Sequence, residues 1–177
     1  MSPVVLAFSG RILSGKTSLA QAVASALGCG IASFGDYVRS VARSRGLSNT
    51  REQLQSLGQS LVAEDVFGFC LKVIEEAQWE SGKSLVIDGI RHIEALDCVR
   101  RIVAPDRLYL VFVAVDDATR LRRSDSVNVR ASLEDIDQHP TEIQVGTVIR
   151  RQADYVVSGN ADLNVVCSEI GAWISSL

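Results

Sequence analysis

Two hydrophobic periods organise the chain. Val4-Val5-Leu6-Ala7-Phe8, Ser84-Leu85-Val86-Ile87-Asp88 and Leu108–Val115 are near-continuous apolar runs, the pattern of strands buried on both faces of a parallel sheet. Between them apolar residues recur at helical spacing. The pattern predicts a helix over Ser18–Leu27, a short strand Ile31–Phe34 ending at Gly35-Asp36, and a helix over Tyr37–Arg43 that Gly46 ends. Thr50 with Gln53 three positions on is a capping-box signal, followed by Leu54, Leu57, Leu61 and Val62 at helical spacing. A further helix is predicted over Asp65–Glu80, with Phe69, Val73, Ile74 and Ala77 on one side, and a crossover helix over His92–Val103. Asp116 and Asp117 open a helix through Leu121. Arg122–Pro140 is charged and weakly patterned, which reads as a lid holding a short helix capped by Ser132. Then come a helix Thr141–Arg151, closing strands or turns at Asp154–Val157 and Leu163–Val166, and a last helical segment with Ile170, Trp173 and Ile174. Trp79 and Trp173 have aliphatic neighbours and read as packing. Strands alternating with helices predict a three-layer α/β/α sandwich around a mostly parallel, roughly five-stranded sheet.

Composition narrows the partners. At 177 residues the chain has the length of one compact domain. A net charge of −3 supplies no basic field, which argues against nucleic acid as a partner. No apolar run approaches membrane-spanning length. The first strand begins almost at Met1, so no secretory or transit peptide is expected. Cys29, Cys70, Cys98 and Cys167 form no C-x-x-C pair, which argues against zinc and for reduced thiols in the cytoplasm.

The candidate chemistry centres on Gly10-Arg11-Ile12-Leu13-Ser14-Gly15-Lys16-Thr17, a complete G-x-x-x-x-G-K-T loop between a predicted strand and a predicted helix. Its glycines let backbone N–H groups turn inward toward a polyphosphate, and the following helix points its positive end at the same anion. Gly10, Leu13, Ser14, Gly15, Lys16, Thr17 and Ser18 are the expected phosphate contacts, with Lys16 on the β and γ phosphates and the Thr17 hydroxyl on Mg2+. Asp88, at the carboxyl end of its strand, either holds a water on Mg2+ or caps the next helix. Ligands of open α/β sheets lie beyond the strands' carboxyl ends. Arginines gather at such ends: Arg39, Arg91, the group Arg120, Arg122, Arg123 and Arg130, and the pair Arg150 and Arg151. Some of these are phosphate ligands and others solvated surface residues. His139, beside Pro140, reads as a lid-surface residue.

These segments resemble the P-loop nucleoside monophosphate kinases and their relative dephospho-coenzyme A kinase. Phe34-Gly35-Asp36-Tyr37-Val38-Arg39 is similar to the G-D-x-x-R segment that holds the acceptor phosphate, and Val86–Arg91 resembles the I-D-G-F-P-R segment. The resemblance implies acceptor contacts at Asp36, Arg39, Gly89 and Arg91. Thr119-Arg120-Leu121 and the arginines after it resemble the start of the family lid, which implies catalytic roles for Arg120 and Arg123 beside Lys16. Ala153–Val157 followed by Asn160 is similar to the family's A-D-x-V-I-x-N ending, which places Asn160, with Arg120, near the donor base. Asp88–Arg91 is one residue shorter than the adenylate kinase pattern and lacks its proline. Arg11–Ser14 stands where that family has a second glycine and a proline. The lid has no zinc-binding cysteines.

The chain is therefore expected to be a single P-loop kinase domain over 1–177, with an acceptor-binding helical region at about 35–82 and a lid at about 122–140. ATP and Mg2+ are the expected cofactors, and a nucleoside monophosphate or similar small phosphorylated molecule the acceptor. The alternative is a nucleotide-dependent switch with slow hydrolysis. That class needs a water-positioning residue, and Gln53, Gln55 and Gln59 fall on a predicted helix. A guanine-specific N-K-x-D motif is absent. A kinase of nucleic-acid ends is disfavoured by charge.

Overall fold

The computed structural model describes residues 2–126, 133 and 137–177. Five strands, β1 (Val5–Ser9), β2 (Gly30–Ser33), β3 (Leu85–Asp88), β4 (Leu108–Ala114) and β5 (Tyr155–Ser158), form one sheet in the order β2-β3-β1-β4-β5. Every pairing is parallel, with Leu6 opposite Val86 on one side and Tyr109 on the other. Side chains alternate across it. Val5, Ala7, Leu85, Ile87, Leu110 and Phe112 face one layer, while Leu6, Phe8, Val86, Val111 and Val113 face the other.

The first layer holds α2 (Phe34–Ser44), α3 (Arg51–Glu76) and α4 (Ile93–Ile102). The second holds α1 (Lys16–Leu27) and α7 (Leu163–Ile174), which pack through Leu19, Val23, Val166 and Ile170. Between β4 and β5 run α5 (Asp117–Ser126) and α6 (Pro140–Gln144), the latter continued by a π-helical turn at Val145–Ile149. The adjacent strands β1 and β3 connect onward in opposite directions, to β2 and to β4, so the topological switch point where a ligand crevice opens lies between their carboxyl ends. No helix among the described residues is long and apolar enough to cross a membrane.

Several local expectations are corrected. Phe34 is the first residue of α2, not the end of β2, because the Ser33 hydroxyl accepts the Asp36 N–H at 3.2 Å and starts a helix there. Leu163–Val166 is helical, because Asp162 caps the Asn164 N–H at 2.8 Å and Val166 is buried against α1. The predicted break between helices at Asp65, by contrast, is borne out: two helices meet there across a kink. Asp65 leaves helical geometry (φ −159°, ψ 86°) and its carboxylate caps the Gly68 N–H at 2.9 Å, and α3 runs on to Glu76. Thr50 accepts from Gln53 N at 3.4 Å as expected, whereas the Gln53 carbonyl oxygen reaches back to Ser48. The helix predicted from Thr141 changes to a π turn at Val145, and Arg122–Ser126 of the predicted lid is the end of α5. Arg130 and Ser132 lie outside the described residues.

If α7 is core, Ile170→Ala removes a fully buried side chain and should lower the unfolding free energy by roughly 2–5 kcal/mol. Urea denaturation would show a lower midpoint with unchanged slope. An unchanged midpoint would mean that α7 is not packed on α1.

Candidate phosphate-transfer site

The loop after β1 is held in a conformation an isolated chain would not keep. Leu13 (φ 66°) and Gly15 (φ 88°) are both left-handed, the arrangement that aims successive N–H groups into a concavity. A left-handed leucine is unfavourable by itself. Arg123 counters this by donating from Nη1 to the Leu13 carbonyl at 2.8 Å and from Nη2 to the Gly159 carbonyl at 2.6 Å. Glu142 Oε2 accepts the Ile12 N–H at 2.9 Å, and Arg120 Nε donates to the Ile12 carbonyl at 3.1 Å. Gly10 leaves no room for a side chain: a Cβ there would lie 2.7 Å from Ser14 Oγ and 2.8 Å from the Val113 carbonyl oxygen.

The residues at the loop fit a polyphosphate and its divalent cation. Ser14 Oγ and Asp88 Oδ1 are buried without a hydrogen-bond partner, which is rare for groups that water cannot reach. Thr17 Oγ1 donates to Asp88 Oδ2 at 2.9 Å, so the two oxygens expected around Mg2+ are already neighbours. Gly15, the N-cap of α1, offers no side-chain acceptor, and the first turn of α1 carries no acid, so nothing on the helix competes with an incoming anion. Lys16 is buried, and burial, then the Arg91 guanidinium, lower its pKa to about 8; Asp88 and Glu142 pull the other way. Ser18 is exposed in the first turn of α1.

The predicted arginines separate into two groups. Arg120 is wholly buried and committed, with bonds to Asp117 (3.0 Å) and both oxygens of Asp137 (2.8 and 2.5 Å). Arg11 joins them at 2.5 Å from Asp137. Burial pushes the Asp137 carboxyl up, but the bonds and charges of Arg120 and Arg11 outweigh it and hold the group below the usual carboxylate range. The guanidinium of Arg123 lies beside Gly15. Arg122 bonds Thr119 at 2.7 Å, Arg150 lies over the Phe112 ring, and Arg151 is exposed. His139 accepts the Thr141 N–H at 3.3 Å, so it caps α6.

Lys16, Thr17, Asp88, Gly89, Arg91 and Arg39 line one cavity of about 540 Å³, whose floor includes Phe34, Val38, Leu54 and Phe69. Arg91 is ion-paired with fully buried Glu142. Arg39 pairs with Asp36 at 2.7 Å at the open rim. Asn160 lies elsewhere: it exchanges hydrogen bonds with Asp116 at 2.8 and 3.2 Å, where β4 and β5 end.

A family model described as AAA domain matches residues 10–138. The chain belongs to that AAA-domain family. The match opens on Gly10, the first residue of the loop, and takes in every cavity-lining residue named above. Among relatives of this AAA domain, a UPF0200 protein of Aeropyrum pernix is 29% identical over 165 residues, covering 90% of this chain and 86% of its own. A UPF0200 protein of Methanosarcina barkeri is 24% identical, covering 97% and 95%. The crystal structure of a gluconokinase from Sinorhizobium meliloti has a TM-score of 0.62 at 18% identity over 94% of this chain and 89% of that one. Shikimate kinase from Aquifex aeolicus has a TM-score of 0.61 at 18% identity, over 98% and 97%. The fold of the AAA domain is thus that of P-loop kinases.

Sequence reading missed four residues of this neighbourhood, Arg51 in the cavity wall and Glu142, Asp137 and Gly159 around the loop, and weighed Gln55, also in the wall, only for a switch. For Gly159 there was a signal, the Ser158-Gly159-Asn160 turn after a strand. A Cβ at Gly159 would lie 2.5 Å from the Ser14 carbonyl oxygen and 3.1 Å from that of Ala114. Gly159→Ala should therefore destabilise the fold by about 1–3 kcal/mol and weaken ADP binding, read by thermal melting and fluorescence titration. Unchanged ADP affinity would separate Gly159 from the loop's function. A second expectation concerns pH. Anionic phosphates favour protonated Lys16, so ADP affinity should be full below about pH 8 and fall as pH rises through that value, with proton uptake on binding. Calorimetry in buffers of different ionisation heat measures this. Affinity that stays flat to about pH 9.5, with no proton uptake, would contradict a depressed Lys16 pKa.

Proposed function

We propose that the protein is an ATP-dependent phosphotransferase acting on a nucleoside monophosphate or similar small phosphorylated acceptor. The observation that carries this reading is that one cavity is lined both by Lys16, Thr17 and Asp88 and by Arg91, Gly35 and Arg39. A hydrolytic switch needs room for one water at the γ-phosphate; this chain has space for a second substrate. The reading takes the whole chain as one kinase domain, with the acceptor-binding helical region at about 35–82 and the lid at about 122–140.

Phosphoryl transfer needs alignment and charge neutralisation more than covalent help. An oxygen of the acceptor attacks the γ-phosphorus, and the bond from that phosphorus to the bridging oxygen breaks, leaving ADP. The loop N–H groups and Lys16 hold the β and γ phosphates. Thr17 and Asp88 would hold Mg2+, which when bound neutralises charge between those phosphates. Gly89, left-handed at φ 91°, lets the chain turn off β3 so that Arg91 follows Asp88 into the same cavity. Arg91 and Arg39, with Asp36 orienting Arg39, bind the acceptor, and Asn160 lies on the donor-base side. Arg120 and Arg123 act here by fixing the loop's carbonyls, which refines the catalytic role their resemblance implies.

ADP release from ATP·Mg2+ should be stimulated strongly by one member of a panel containing AMP, CMP, UMP, GMP, dTMP, their deoxy forms and dephospho-coenzyme A. Lys16→Ala should abolish it, and Arg39→Ala should raise the acceptor KM about tenfold with little change in the KM for ATP. Slow release indifferent to every acceptor would remove the kinase reading in favour of a switch.

A further inference from the structure

Among the described residues, two donor nitrogens in the cavity wall have no acceptor. Arg51 Nη1 and Gln55 Nε2 are both buried, and neither meets an acceptor. Buried polar groups left in this state are rare and call for a specific explanation. Both residues line the cavity that contains Lys16, Asp88 and Arg91. They stand four apart on α3, so they share one helix face. The turn that carries them is anchored, because Thr50 caps it and Gln53 ties back to Ser48 at 2.8 Å. Beside them the wall is apolar, with Leu54 and the edge-to-face rings of Phe34 and Phe69, 5.2 Å apart.

The charges around Arg51 are out of balance. Glu142 is taken up by Arg91 and the Ile12 N–H, Asp36 by Arg39, and one oxygen of Asp88 by Thr17. Among the described residues no carboxylate forms an ion pair with Arg51. Burial, and then the Arg91 guanidinium, lower its pKa, with Glu142 and Glu52 opposing. A guanidinium with an unused donor, next to an amide with another, is a receptor for an oxyanion.

We propose that Arg51 and Gln55 form a subsite for an oxyanion carried by the acceptor, a carboxylate or a phosphate, each donating a hydrogen bond to it. The inference rests on reading this cavity as the acceptor site, and it specifies that the acceptor is an anion and that α3, not only the loops after β2 and β3, selects it. Uncharged sugars and nucleosides are excluded as good acceptors, because they leave Arg51 unpaired.

The test is calorimetric titration of protein saturated with AMP-PNP and Mg2+. AMP and D-gluconate serve as phosphate and carboxylate probes, with adenosine and D-glucose as their uncharged counterparts. One anion should bind, with its uncharged counterpart about tenfold weaker or worse. Which anion binds decides between phosphate and carboxylate. Arg51→Gln and Gln55→Glu should each weaken the anion about tenfold in protein that still saturates with AMP-PNP and melts cooperatively; Arg51→Lys should recover part of the loss. Binding of neither anion, equal binding of charged and uncharged probes, or anion binding indifferent to Arg51→Gln would overturn the subsite. Arg51-dependent anion binding without acceptor-stimulated ADP release would keep the subsite and remove the kinase reading. Acceptor-stimulated release with a KM indifferent to Arg51→Gln would do the opposite.

Discussion

Everything at this site depends on keeping a stretch of backbone, residues 10–15, free of regular hydrogen bonding at the centre of the molecule. Buried peptide groups need partners, yet a phosphate site must leave its inward N–H groups unpaired. The chain resolves this by satisfying the outward groups with charged side chains. Glu142 takes the Ile12 N–H, Arg120 the Ile12 carbonyl and Arg123 the Leu13 carbonyl. Two of these charges are themselves fully buried and need counter-charges, which Arg91 supplies to Glu142 and Asp137 to Arg120. Such pairs add little net stability, but losing one partner leaves an uncompensated buried charge, at roughly 3–5 kcal/mol. Their value here is placement: they couple the loop's shape to α5, α6 and Arg91 at once.

That coupling explains what could be read from the sequence and what could not. The strands β1, β3 and β4 are legible because each is apolar throughout, and the loop because its glycines, lysine and threonine are contiguous. Asp88 is legible because it ends a strand. Glu142 is not: it reaches Ile12 across 130 positions of chain, and in sequence it is one more acid near the start of a helix. Nor is Arg51 legible, because it opens a helix and follows no strand. Leu163–Val166 has strand-like composition, but the Asp162 cap and burial of Val166 against α1 override that propensity. The π turn at Val145–Ile149 buries Val145 and Ile149, and no local pattern announces it.

Two irregular helices flank the cavity and the loop. The kink at Asp65 separates the half of α3 that bears Arg51, Leu54 and Gln55 from the half that bears Phe69, Cys70, Val73 and Ile74 in the core. The π turn follows directly on α6, whose Glu142 faces the loop. In both places regular geometry gives way where a helix passes from core packing to the site, a common position for such breaks.

The cations of the site are unfavourable to one another until something anionic arrives. Burial first, then Arg91 and least of all Arg51, lower the Lys16 pKa to about 8, so keeping it charged in that setting costs on the order of 3 kcal/mol, only part of it repulsion. Arg51 is likewise lowered by burial and by Arg91. Asp88 and Glu142 offset part of this repulsion, and each is already engaged. A bound polyphosphate would relieve it at Lys16, and a bound acceptor anion at Arg51. Because that relief exists only in the folded, liganded protein, ligand binding and fold stability are linked through the same few charges. The mutual repulsion of these cations would also favour an anion over a neutral molecule of equal size, since a neutral occupant would desolvate them further without compensating them.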